Sequence, residues 1–116
     1  MSYQMEWKIS LECIEKDELL QKIKGNAPFV LVDTIGKYEG NKFKIKGAKT
    51  IPYPEVIDRR KELTDLGEIV IYCTRKTCPA SKKVAAALKI LKVPNVKVYE
   101  GGIEEWLANS LPVEEE

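Results

Sequence analysis

Cys73 closes an apolar run, Ile69-Val70-Ile71-Tyr72, and the polar stretch Thr74-Arg75-Lys76-Thr77-Cys78 follows it. Pro79 then opens an alanine-rich segment with helical spacing. At such a strand-to-helix turn, loop amides and a helix N-terminus both direct partial positive charge at the thiol, which favours the thiolate. A thiolate there is a nucleophile. The same amides would hold a tetrahedral oxyanion or a negatively charged persulfide sulfur. Each unit by which they lower the pKa from its usual value near 8.5 is worth about 1.4 kcal/mol. The plainer alternative for Cys73 is a small core residue at a strand end.

The chain has no histidine, which excludes His-paired nucleophiles, His general bases and His metal ligands together. Activation of Cys73 therefore falls to amides, a helix dipole and the cations Arg75 and Lys76. Cys78, five positions on, is a candidate resolving thiol if the loop is compact, or else a packed thiol at the start of the helix. Cys13 carries no local signature and is read as packing. Cys73 and Cys78 lack a second pair, so neither a zinc site nor any other metal or cofactor is expected. Three cysteines in a chain of cytosolic type do not make a disulfide scaffold.

Net charge is +1, but its distribution is uneven. No acid falls between Glu68 and Glu100, whereas Arg75, Lys76, Lys82, Lys83, Lys89, Lys92 and Lys97 do. Acids gather instead in residues 12–18, 55–68 and 100–116. Lys89, Lys92 and Lys97 read as a solvated face, but a field of this sign near the thiol would draw small anionic substrates toward it. Neither nucleic acid nor membrane is expected as a partner. No apolar run is long enough for a membrane span, and the first residues lack a signal-peptide layout, so the cytoplasm is the expected compartment.

Positioning the thiol requires a sheet. The 116 residues suit one domain, 1–116, with a core from about residue 10 to 113 and a disordered acidic tail at 114–116. Alternation suggests a short strand over Trp7 to Leu11. Glu15 to Lys24 reads as a helix with Leu19, Leu20 and Ile23 on one face and Gly25-Asn26 as its stop. Phe29 to Val32 reads as a strand buried on both faces and ending at Asp33-Thr34. Residues 36–47 read as loop, and Gly47 to Ile51 as a weak strand closed by Pro52 and Pro54. A helix is expected over Glu55 to Leu63, and the firmest strand over Ile69 to Cys73. Pro79 suits the first turn of a helix whose buried stripe is Ala80, Val84, Ala87, Leu88 and Leu91. Val96 to Tyr99 reads as the last strand and Ile103 to Ala108 as a short helix with Trp106 inward. Alternation of strands with helical segments predicts an α/β domain, a small parallel β-sheet flanked by helices on both faces. Ligands of such sheets sit beyond the carboxyl ends of the strands, where Cys73 lies.

Several blocks, in order across roughly residues 10 to 113, resemble the rhodanese family. They are Phe29-Val30-Leu31-Val32-Asp33, Gly47-Ala48 with Ile51-Pro52, Ile69 to Cys73, and Gly101-Gly102-Ile103-Glu104-Glu105-Trp106 with Leu111-Pro112-Val113. The resemblance implies a single rhodanese-like domain acting as a sulfurtransferase. Cys73 would be the catalytic residue, carrying sulfane sulfur as a persulfide from an anionic donor such as thiosulfate to cyanide or a thiol, including a thiol-bearing acceptor protein. Thr74, Arg75, Lys76, Thr77 and Cys78 would form the substrate-binding loop. The family loop runs as Cys-x-x-Gly-x-Arg, and phosphatase or arsenate-reductase relatives have a loop one residue longer. Cys73 to Cys78 matches the shorter form. Lys76 stands where the family has Gly and Cys78 where it has Arg, which leaves Arg75, or Lys82 and Lys83, as replacement cations. A subset of the family has a second cysteine and then a serine in these places, as Cys78 and Ser81 are here. Asp33 is expected to be structural, and Lys44 or a neighbour replaces the histidine before the Gly-Ala motif. Two other readings stand beside sulfur transfer: a thiol–disulfide redox or sensor protein using Cys73 and Cys78, and a non-catalytic rhodanese-like binding module.

Overall fold

The continuous apolar runs become the centre of a parallel sheet. In the computed structural model, which describes residues 11–25, 28–35, 43–63, 67–75 and 79–115, β1 is Glu12–Cys13, β2 Phe29–Asp33, β3 Phe43–Ile45 and β4 Lys49–Thr50. They are followed by β5 Glu68–Tyr72, β6 Val96–Tyr99 and β7 Val113–Glu115. The five-stranded sheet has the order β1-β6-β5-β2-β4, with every pair parallel. Helices α1, Lys16–Lys24, α2, Ala80–Ile90, and α3, Gly102–Ala108, cover it.

Period-two alternation splits each central strand between two cores. Val30, Val32, Ile69, Ile71, Val96 and Val98 pack with Val84, Ala85 and Leu88 of α2. Leu31, Val70, Tyr72 and Tyr99 pack with Leu19 of α1 and with Ile103 and Trp106 of α3. Helices therefore lie on both faces, as the strand–helix alternation predicts. Trp106 is fully buried, donates its indole N–H to the Pro112 carbonyl at 2.6 Å and meets Tyr99 edge-on at 5.8 Å. Among the described residues, no helix is long and apolar enough to cross a membrane.

Several expectations need correction. Residues 55–63 do not form one helix but two single 3-10 turns, Tyr53–Glu55 and Arg60–Glu62. Only Val56 and Leu63 are fully buried there, too little apolar contact to carry a continuous short helix. Phe43–Ile45, expected as loop, pairs antiparallel with Val113–Glu115, so Glu114 and Glu115 belong to a strand rather than a disordered tail. Lys44 faces Glu114 across that pair at 3.8 Å, and Gly47 N–H donates to the same carboxylate at 3.1 Å. Leu91 is exposed; Ser81 and Ala85 fill the α2 stripe instead. Of the strand expected over Trp7 to Leu11, Trp7 to Ser10 lie outside the described residues, and the first strand begins at Glu12.

Glu68 fastens the amino end of β5 to its neighbours. Lys22 of α1 lies 2.7 Å and Lys97 of β6 3.0 Å from its carboxylate. Burial pushes this carboxyl up, but hydrogen bonds from the two lysines outweigh it and hold it below the usual 4.5. A depressed folded-state value contributes stability above 4.5 that is lost as pH falls through that lower value. Glu68→Gln is expected to cost about 1–2 kcal/mol near neutrality and to flatten the acid limb of the stability profile. Urea unfolding across the acid range checks this, and an unchanged acid limb in the variant would refute it.

Candidate active site at the carboxyl ends of the strands

Cys73 follows directly on β5, and its position is fixed from both sides. On the β2 side, Thr34 donates to the Tyr72 carbonyl twice, from its backbone N–H at 3.2 Å and from its hydroxyl at 2.8 Å. Beneath this contact Asp33 is fully buried. One of its oxygens accepts the Ile35 N–H and the other the Tyr72 hydroxyl, each at 2.8 Å. The Tyr72 hydroxyl in turn accepts the Ile45 N–H at 3.0 Å. Asp33 is thus structural, as expected, and satisfies donors that burial would otherwise leave unpaired.

On the other side the loop is stitched to the start of α3. Ile103 N–H donates to the Cys73 carbonyl at 3.1 Å and Glu104 N–H to the Thr74 carbonyl at 2.9 Å. Two first-turn amides of α3, which lack partners within the helix, are thereby satisfied. The close approach is possible because Gly102 has φ +67 and no side chain. A Cβ there would stand 2.5 Å from the Cys73 carbonyl oxygen and 2.7 Å from Thr74 backbone atoms. Gly102 is therefore a support for the thiol loop.

Cys73 is 5% exposed and is disulfide-bonded. Its sulfur lies 3.9 Å from the Thr74 hydroxyl. Lys76, Thr77 and Cys78, three of the expected loop residues, lie outside the described residues. Arg75 is exposed, its guanidinium 3.5 Å from Glu104. Lys82, at the start of α2, is 3.0 Å from Glu100. The basic character of residues 69–99 is thus partly neutralised by acids that lie just beyond it in sequence, and the positive field at the site is weaker than the charge pattern suggests.

Cys13, expected as packing, is instead an exposed free thiol at the edge of the sheet, and Ile14 takes the buried place. It lines a cleft of about 100 Å³ with Glu15, Tyr99, Glu100, Gly101 and Glu105. Burial and then the Glu100 carboxylate push its thiol pKa up, the opposite of an activated nucleophile. Across this cleft the Tyr99 hydroxyl donates to Glu105 at 2.7 Å; burial and that carboxylate hold the phenol in its neutral form. The residue types at 33–34 hint at a strand-end turn. The Thr34 clasp and the Tyr72 hydroxyl chain need the parallel pairing of β2 with β5 to become visible.

The sequence matches the Rhodanese-like domain over residues 15–109. The chain belongs to that family. A structure from Lactobacillus plantarum superposes with TM-score 0.80 at 21% identity, covering 97% of this chain and 91% of that one. A rhodanese-related protein from Thermoplasma volcanium gives TM-score 0.74 at 23% identity, covering 89% and 97%. Both likenesses concern the fold. An HTH-type transcriptional regulator of Mycobacterium tuberculosis is 33% identical over 106 residues, 90% of this chain and 45% of that protein. The rhodanese-like chain therefore spans less than half the length of this curated relative.

Proposed function

We propose that this rhodanese-like chain is a cytoplasmic sulfurtransferase with Cys73 as its nucleophile. The observation that carries the reading is the double anchorage of Cys73 at the carboxyl end of β5, by Thr34 on one side and Gly102 with α3 on the other. Once reduced, the Cys73 thiolate attacks the outer sulfur of an anionic donor such as thiosulfate. The donor S–S bond breaks and sulfite leaves with the electron pair. A thiophilic acceptor, cyanide or a thiol on a small molecule or protein, then takes the outer sulfur and returns the thiolate. Thr74, Arg75, Lys76, Thr77 and Cys78 form the donor-binding loop, with Arg75 steering the anion within reach of Glu104.

Reduced protein incubated with thiosulfate is expected to gain the mass of one sulfur atom, mapped to Cys73 by peptide mass spectrometry. Cys73→Ser is expected to gain nothing, and Cys13→Ser to load like the parent. Absence of the adduct on Cys73 from both thiosulfate and a persulfide donor would refute the reading.

The disulfide at Cys73 favours a second reading, a thiol–disulfide sensor in which Cys78 resolves Cys73. The transcriptional-regulator name of the curated relative is in keeping with a sensing role. Cys78→Ala decides it: unchanged oxidation of Cys73 under mild oxidant would exclude the sensor.

A further inference from the structure

We propose that Glu104 is a specificity-determining residue that makes Cys73 discriminate among sulfur donors by charge. It holds back doubly charged thiosulfate in favour of singly charged carriers of sulfane sulfur, such as a thiol-borne persulfide. This rests on the sulfurtransferase reading and narrows its substrate class. Glu104 is fixed beside the thiol loop by its own backbone. Its N–H donates to the Thr74 carbonyl at 2.9 Å, next to the Ile103 N–H on the Cys73 carbonyl. The side chain is 66% exposed and can turn, but its root stays at the loop. Its carboxylate lies 3.5 Å from the Arg75 guanidinium, so the cation that would steer an anion already faces a negative charge. Just after β6, Glu100 does the same to Lys82 at 3.0 Å. Cys13 registers this sign on the neighbouring edge strand: burial and then Glu100 push its thiol up, and Lys82 offsets only part of the rise.

Donor charge sets the size of the effect. In water, a unit charge about 6 Å from a donor changes its local concentration by about 3-fold for each charge the donor carries. A monoanion is thus held back about 3-fold and a dianion about 10-fold, and salt screens both effects. As an exposed pair, Arg75 and Glu104 add little to stability. Their consequence lies in the field at the thiol. The chemistry is the same for both donor charges: the Cys73 thiolate attacks the outer sulfur and the donor S–S bond breaks. Sulfite leaves thiosulfate, and a sulfinate leaves a thiosulfonate, in each case with the electron pair. No step passes through Glu104, which acts through the field and through Arg75.

The test is single-turnover loading of the reduced full chain with two donors, thiosulfate, a dianion, and methanethiosulfonate, a monoanion. Uptake of sulfur is followed by intact mass after rapid quenching, at low and at high salt. At low salt Glu104→Gln is expected to load from thiosulfate about 10-fold faster than the parent and from methanethiosulfonate about 3-fold faster. The ratio of the two rates therefore rises about 3-fold, and the rise shrinks at high salt. Any effect on the thiol itself is shared by both donors and cancels in that ratio. Glu104→Asp, which keeps the charge, is expected to keep the parent's ratio. A ratio unchanged in Glu104→Gln, or one that rises as much in Glu104→Asp, overturns the role of Glu104 and leaves the sulfurtransferase intact. If none of the three proteins takes up sulfur from either donor, both readings fall.

Discussion

Gly102→Ala is expected to destabilise the domain by about 3 kcal/mol or more and to slow sulfur loading of Cys73 by about 10- to 100-fold. Two costs combine. An L-residue at φ +67 carries about 1–2 kcal/mol of backbone strain. The added methyl also meets main-chain atoms of Cys73 and Thr74 at 2.5–2.7 Å, and no side-chain rotation relieves a backbone clash. The loop must move, and with it Cys73. Gly47→Ala is the matched control: its φ is +86 but nothing lies within 4 Å of the new methyl, so only the strain of about 1 kcal/mol remains. Chemical unfolding with single-turnover loading compares the two. Equal losses of stability and loading in both variants would mean that the contact with Cys73 is immaterial.

Asp33→Ala is expected to cost about 3–5 kcal/mol, since it strands two buried donors, the Tyr72 hydroxyl and the Ile35 N–H. Asp33→Asn recovers only part of this, because its amide nitrogen cannot accept from whichever donor it faces. Tyr72→Phe removes one of those donors but leaves the Ile45 N–H without its acceptor. The double variant Asp33→Ala/Tyr72→Phe should fall short of the summed single losses by about 1–2 kcal/mol. Urea titrations of the four proteins close the cycle. Additive losses would show that the two side chains do not act as a unit.

The parts of this fold legible in the sequence are those whose causes are local. Phe29 to Val32 and Ile69 to Tyr72 are continuous apolar runs because helices cover both faces of their strands, and that burial imprints itself on successive residues. Cys73 stands at the end of the firmest of these runs. What was not legible depends on partners distant in sequence. Phe43-Lys44-Ile45 looks like loop until Val113–Glu115 pairs with it. The basic stretch looks like an anion funnel until Glu100 and Glu104 fold back onto Lys82 and Arg75. Thr34 carries no mark of its own, since its role exists only where β5 ends beside it.

The stitching of the thiol loop to α3 also sets an order of assembly. During synthesis Cys73 emerges before Gly102, Ile103 and Glu104, which hold its carbonyl and that of Thr74 in place. Until those later residues are made, the Cys73 and Thr74 carbonyls lack the two amides that hold them, and only the Thr34 clasp on the Tyr72 carbonyl is available. A nascent chain halted near residue 100 would thus present the Cys73 thiol with one of its two supports, and the loop gains the second only with the third helix.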